Sequence, residues 1–251
     1  MRAVLALLLL AGCDRVFGLG DPYEDAPRGG GSADALAVDA PPPGDAPIDG
    51  PDKRPAPLVH YRFDDTFAEA GGGANASCTT SGGGDCLFVA GKYGGALHFD
   101  GSSIGHITLP SLPPSFTLML WVDSASGPAI DLAQQVAAPT RDVWWLDLGT
   151  SIAFQTTSGA TQTTVAARPN ETWTHIAVTY DGTRQLLYVD AIAQAQTFVG
   201  ALAYGTNNLV CVGCRMSQAT TMYFSGDLDD VYIFDRALTQ TEIGFYAGSA
   251  H

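Results

Sequence analysis

The chain has 251 residues and carries 26 Asp and Glu against 12 Lys and Arg, for a formal net charge of −14. That sign excludes nucleic acid as a partner, because phosphate contacts need clustered cations. Hydrophobic residues make up 46% of the chain, enough for a sizeable core, yet no stretch reaches the ~18 consecutive apolar residues of a membrane-spanning helix.

The N-terminus reads MRAVLALLLLAGCD, one Arg and then an apolar run from Ala3 to Leu10. This is the pattern of a short secretory signal. Leu10-Ala11-Gly12-Cys13 resembles the lipobox of bacterial lipoproteins. The resemblance implies a signal peptide over 1–12 and lipidation of Cys13 as the first mature residue. An ordinary signal with a chance cysteine is the alternative. A lipid anchor of more than one acyl chain holds a protein stably at a membrane, so the expected location is the cell envelope, on the periplasmic side or the cell surface. Residues 13–57 are rich in Pro, Gly, Ala and Asp and show no hydrophobic period. Such a segment cannot bury enough apolar surface to fold and is expected to act as a tether of roughly 35–40 Å.

Residues 58–251 form the expected single domain, with 14 Asp, three Glu and seven Lys or Arg. Short alternating strands separated by turn signals run through it. LVHYRFDD (58–65), ALHFDGS (96–102), SFTLMLWVD (115–123), VWWLDLG (143–149) and SIAFQTT (151–157) are predicted strands. WTHIAVTYDGTRQLLYVD (173–190) is predicted as a hairpin turning on Asp181-Gly182, the residue pair that type I′ turns favour. Another strand is predicted over 228–234. Period two places Asp229, Val231 and Ile233 on one of its faces, and Leu228, Asp230, Tyr232 and Phe234 on the other. Thr239 and Glu242 form a capping box for one short C-terminal helix reaching Tyr246 and stopping near Gly248. Strands at this density define an all-β sandwich.

Besides Cys13 there are Cys78, Cys86, Cys211 and Cys214. In an oxidising compartment an even number reads as disulfides, with three pairings possible. A zinc site and a redox CxxC are the alternatives.

Four blocks, YRFDD, KYGGALHFDGSS, WTHIAVTYDGTRQLLYVD and FSGDLDDVYIFDRALTQTEI, occur in this order. Together they resemble a LamG-like jellyroll of the concanavalin A-like lectin/glucanase superfamily, covering essentially all of 58–248. Ala191 departs from the family, which commonly has Gly there. The resemblance implies that the first and last strands lie side by side. Asp64, Asp65, Asp229 and Asp230 would then converge with backbone oxygens on calcium, a cation that takes six to eight oxygen ligands. The alternative is that these carboxylates cap backbone amides without a metal.

Catalysis is not expected. Glu69, Glu171 and Glu242 are the domain's Glu residues, and they lack the one-face acid pattern of the superfamily's glucanases. Binding of a carbohydrate or a protein partner is the expected function. Trp144 and Trp145 are consecutive, so one enters the core and the other turns outward, either offered as a sugar platform or covered by a neighbouring loop. Tyr204 and Tyr223 are candidates for the rim of that platform. Trp121 and Trp173 are assigned to the core, and a metal at His98 with His106 is a minor alternative. The rival readings are a hydrolase or lyase of the same superfamily and a structural envelope module.

Overall fold

A computed structural model describes residues 54–80, 86–123, 131–138, 141–149, 151–158, 160–167, 173–217 and 220–248. All belong to one unit, Pro41–His251. The signal peptide, Cys13, the linker before residue 54 and Glu171 lie outside the described residues.

The chain begins with β1 (Val59–Tyr61), β2 (Ser77–Thr80), β3 (Leu87–Ala90), β4 (Gly95–Asp100), β5 (Ser103–Thr108) and β6 (Phe116–Asp123). It continues with β7 (Asp131–Ala138), β8 (Arg141–Leu148), β9 (Ser151–Ser158), β10 (Ala160–Ala167), β11 (Thr174–Tyr180) and β12 (Arg184–Val189). Last come β13 (Ile192–Phe198), β14 (Leu209–Val212), β15 (Cys214–Ser217), β16 (Thr220–Tyr223), β17 (Ser225–Phe234) and the helix α1 (Gln240–Ala247).

Two antiparallel sheets form the sandwich. The eight-stranded sheet runs β13-β12-β11-β6-β17-β4-β3, with β1 also paired to β17. The seven-stranded sheet runs β10-β9-β8-β7-β14-β5-β2. Strand β17 pairs first with β4, through Ser225–Leu228, and then with β1, through Val231–Ile233. First and last strands are therefore neighbours, as the resemblance implied. Strand β1 is shorter than the predicted 58–65, because Phe63 and Asp65 adopt positive φ (59° and 54°) and turn the chain away.

The core lies between the sheets. Leu118, Leu120 and Val122 of β6 meet Trp144, Leu146 and Leu148 of β8 and Ile176 and Val178 of β11 in one buried cluster. Full burial of each large side chain contributes about 1.5–3 kcal/mol, an upper range given the compactness of unfolded chains. A second cluster covers part of the outer face of the eight-stranded sheet. There Ile243 and Tyr246 of α1, with Leu238, pack on Met119, Ala177, Tyr232 and Phe234. The helix starts as predicted: the Glu242 amide donates to Thr239 Oγ1 at 3.3 Å and the Thr239 amide to Glu242 Oε2 at 2.8 Å.

Period two fails in β17. Asp229 pairs with Trp121 and Tyr232 with Met119, so Asp230 and Val231 together oppose Leu120. This is a β-bulge, and Asp230 carries its extra turn at φ 47°. Leu228, Val231 and Ile233 all reach the inter-sheet core, whereas Asp229, Asp230, Tyr232 and Phe234 share the outer face. The expected division of these residues between faces is thereby corrected.

The hairpin turn at Asp181-Gly182 also differs from expectation. Between β11 and β12 only Gly182 has positive φ (98°), and the Asp181 amide bonds the Arg184 carbonyl at 3.1 Å. Gly182 thus stands first of the two central residues, the position type II′ reserves for glycine, and Asp181 precedes the turn. Its carboxylate accepts from the Thr183 and Arg184 amides at 2.8 and 2.7 Å. The positive-φ pair falls instead at Asp190 (49°) and Ala191 (63°), between β12 and β13. An alanine there carries the cost of a left-handed residue with a Cβ. Ala191→Gly is expected to stabilise the domain by about 1 kcal/mol after the entropic cost of glycine, a rise of a few degrees in Tm by calorimetry.

The cysteines form two disulfides, Cys78–Cys86 and Cys211–Cys214, with Cα separations of 6.0 and 5.7 Å. The zinc reading is set aside because all four sulfurs are bridged, and the Cys211–Cys214 pair joins two strands instead of opening a helix.

Candidate functional site

Two regions gather the side chains singled out in the sequence, one on the outer face of each sheet. The first surrounds the turn between β3 and β4, Gly91-Lys92-Tyr93-Gly94. Its ends close through Gly91 N–H to the Gly94 carbonyl at 3.0 Å. Two carboxylates fasten it to the sheet: Asp229 Oδ2 accepts from the Tyr93 amide at 2.9 Å, and Asp64 Oδ1 accepts from the Gly95 amide at 2.7 Å. The approach is so close that a Cβ on Gly94, at φ 67°, would lie 2.0 Å from Asp64 Oδ1. A Cβ on Gly91 would lie 2.7 Å from Asp229 Oδ2. Only glycine fits at either position.

Asp229 has no exposure to solvent, and its Oδ1 finds no hydrogen-bond partner among the described residues. Burial first, then the neighbouring Asp230 and Asp64 charges, push its carboxyl up to about 7, against the Tyr93 amide, which pulls it down. Beside it, Trp121 is buried on this outer face and not between the sheets, a correction to its expected place in the core. The Lys92 ammonium lies 4.5 Å from its ring centroid, and the Tyr93 ring meets it edge-on at 5.8 Å. Trp173 is half-buried and lies outside the core cluster.

Asp230 is engaged elsewhere. His60 Nε2 lies 2.8 Å from its Oδ1, and the His60 ring stacks on Tyr232 at 3.8 Å. Asp65 is exposed at the bend after β1. The structure therefore brings together Asp64 and Asp229 of the expected calcium set, and it turns Asp230 toward His60. Tested for a hard cation, Asp64 and Asp229 fit: both are carboxylates on one turn, and Asp229 leaves a buried oxygen unmatched. Among the described residues no three His, Cys, Asp or Glu side chains form a metal-holding group, so backbone oxygens would have to complete any such site. His98 and His106 stand on different sheets, β4 and β5. His98 pairs with Asp227, Nδ1 to Oδ1 at 2.6 Å.

The second region is the outer face of the seven-stranded sheet. Trp144 enters the core at 2% exposure, and Trp145 points to the other side. Trp145 is not offered to solvent, however, being only 5% exposed. The Arg215 guanidinium covers its ring at 4.5 Å from the centroid. Its Nε1–H is buried without a partner among the described residues. Next along β8, Asp147 is half-buried and accepts from Gln155 Nε2 of β9. Burial raises its carboxyl above the usual range, opposed by the Arg215 charge and the Gln155 bond. Register carries the row across the sheet, from Thr163 through Gln155, Trp145, Gln134, Cys211 and His106 to Ser77.

Tyr204 packs against the core with its hydroxyl buried beside Tyr180, away from the rim expected of it. Tyr223 is half-buried at the end of β16, opposite Cys214. Asp147, Gln155 and Arg215 were not marked in the sequence. The alternation of β8 carries a signal for Asp147, two residues after Trp145, but nothing local announces that Arg215 crosses onto β8.

A family profile described as the concanavalin A-like lectin/glucanases superfamily matches residues 99–244. The match spans more than half of the chain, which belongs to this superfamily. No curated protein matches the sequence. Among solved structures, domain 4 of AbnA, a GH43 extracellular arabinanase from Geobacillus stearothermophilus, superposes with a TM-score of 0.65 at 19% identity. That match covers 76% of this chain and 98% of that domain. The botulinum neurotoxin serotype G binding domain superposes with a TM-score of 0.60 at 13% identity, covering 76% of this chain and 50% of that one. The serotype C1 binding domain gives 0.59 at 14%, with 76% and 51% covered. The chain thus spans about half the length of the toxin binding domains, and at these identities the likeness establishes the fold.

A carboxyl whose folded-state pKa is raised favours folding below its ordinary value, near 4, and loses that contribution as pH rises toward 7. In calcium-free buffer the Tm of the domain should therefore fall between pH 4 and pH 7.5, by the equivalent of about 2–4 kcal/mol. Asp229→Asn should flatten that fall, as followed by circular dichroism.

Proposed function

We propose that the protein is a lipoprotein of the bacterial cell envelope, anchored through Cys13, whose jellyroll binds carbohydrate without transforming it. The observation that carries this reading is the outer face of the seven-stranded sheet. A flat indole with an unmatched N–H stands beside a carboxylate and an amide there. Carbohydrates present both an apolar C–H face and a rim of hydroxyls, which this combination suits. The fold neighbours support it: the AbnA domain was solved in complex with arabinotriose. A botulinum neurotoxin DC binding domain was solved with SialylT, and neurotoxin type C depends on interaction with two ganglioside molecules for cell entry.

A non-catalytic role accords with the positions of the acids. Asp229 and Asp230 share one face, so the bulge removes the sequence argument that they point apart; what counts against them is burial, at 0% and 2% exposure. A substrate has no access to them. Glu69 and Glu242 are taken by structure: Glu69 accepts from the His60 and Gly73 amides at 2.9 and 2.8 Å, and Glu242 caps α1.

Calcium belongs to the same proposal as a structural ion. Asp64 and Asp229 would hold it with backbone carbonyls, and its charge would offset the burial of Asp229. It would fix the turn at 91–95 and supply no chemistry.

Two measurements test this. On a glycan array the domain should retain a subset of oligosaccharides, and Trp145→Ala should abolish retention while leaving the circular dichroism spectrum unchanged; uniform background for the native domain would refute carbohydrate binding. Millimolar calcium should raise the Tm by several degrees over excess chelator, about 2.7 kcal/mol at a hundredfold excess over Kd. Asp64→Ala and Asp229→Ala should each remove that rise. An identical Tm in calcium and chelator would leave the two carboxylates as caps of the turn alone.

A further inference from the structure

Strands β15 and β16 form a hairpin of their own, outside both sheets, and β15 lies against β5, β7 and β8. It crosses the face of the seven-stranded sheet at the place where Trp145 stands, and it sets Arg215 on the indole. The base of this arm is fixed. Cys211, the third residue of β14, is bridged to Cys214, the first of β15. Between them Gly213, at φ 73°, approaches Phe99 so closely that a Cβ would lie 2.2 Å from its ring. Past the bridge, the Phe224 amide bonds the Gly213 carbonyl at 2.8 Å and closes the other leg of the arm. With the base fixed, rotation about the bonds of its own side chain is what would lift the Arg215 guanidinium from the indole.

We propose that Arg215 is the internal occupant of the ligand position and that a saccharide ring binds by replacing it on Trp145. The proposal rests on the carbohydrate reading above. A guanidinium is planar and lies on an aromatic face as the C–H face of a sugar ring does. Once displaced, it keeps its five donors and is tethered at the edge of the site, close enough to Asp147 for the charges to interact. Asp147 and Gln155 then meet the ligand hydroxyls, and the buried Trp145 N–H gains an acceptor. Arg215 therefore lowers the affinity for every ring that must displace it from the indole.

The test compares the native domain, Arg215→Ala and Trp145→Phe for binding of arabinotriose, xylotriose and cellotriose, followed by the indole N–H signals in 1H–15N spectra. Trp145 is assigned by the signal missing in Trp145→Phe. Arg215→Ala should bind at least one trisaccharide about three- to thirtyfold more tightly than the native domain, the range set by the cation–π contact removed, with the Trp145 signal shifting on binding. Arg215→Ala should also make that indole more accessible to acrylamide. Native binding that Arg215→Ala weakens or leaves unchanged, while the Trp145 signal still responds, would keep the carbohydrate reading and overturn the occupant proposal. An absence of binding by both native domain and Arg215→Ala, with native spectra, would overturn both.

Discussion

Asp229 is a carboxylate taken out of water with one oxygen matched by the Tyr93 amide and the other by nothing among the described residues. The β-bulge in β17 is what holds it there. Because two residues of β17 oppose the single Leu120, the strand changes the parity of its faces at that point. On one side of the shift Leu228 enters the core; past it Val231 and Ile233 do so too, and the polar residues between are gathered outward. Asp229 then reaches the 91–95 turn, Asp230 reaches His60, and β1 finds its place against the second half of β17. Without the bulge, one of the two aspartates would face the inter-sheet core, where an unpaired charge costs several kcal/mol.

The two outer faces of the sandwich have different fates. On the eight-stranded sheet, α1 closes one part, and the Lys92–Tyr93 turn closes another over Trp121. What remains there is a set of carboxylate caps, the buried His60–Asp230 hydrogen bond and a turn on which even a methyl group does not fit. The seven-stranded sheet carries polar and aromatic groups in register across its strands, and β15 lies against β5, β7 and β8.

Much of the fold was legible in the sequence because its signals are local. The capping box at Thr239 and Glu242, the alternating runs of β6, β8, β9 and β11, and the order of the four conspicuous blocks each depend on neighbours within a few residues. Strands such as β7 (DLAQQVAA), β10 (ATQTTVAA) and β13 (IAQAQTF) escaped notice. Two of them lie at sheet edges, where Gln, Thr and Ala suffice and no hydrophobic alternation is demanded. The faces of Asp229 and Asp230 were misjudged for a related reason: a bulge is a relation between two strands, and period two describes only one. Trp145 shows the same limit, since its outward direction follows from alternation but its cover comes from Arg215, seventy positions away in the chain. The turn at Asp181-Gly182 was found and its type mistaken, because Asp181 serves better as a side-chain acceptor ahead of the turn than at its centre.

The meeting of the two chain ends has a mechanical side. Arg54 lies over the ring of Tyr246, whose hydroxyl donates to the Pro55 carbonyl, and four residues later the chain enters the sheet as β1. Tension arriving through the residues before Arg54 is met first by this contact with α1. It then passes to the Leu58 amide on Ile233 and to the three paired positions of β1 on β17. A load directed along β1 strains those bonds together, in shear, and does not peel them singly from one end. The same strand β17 carries the bulge and supports the helix, so the force would be spread into the eight-stranded sheet.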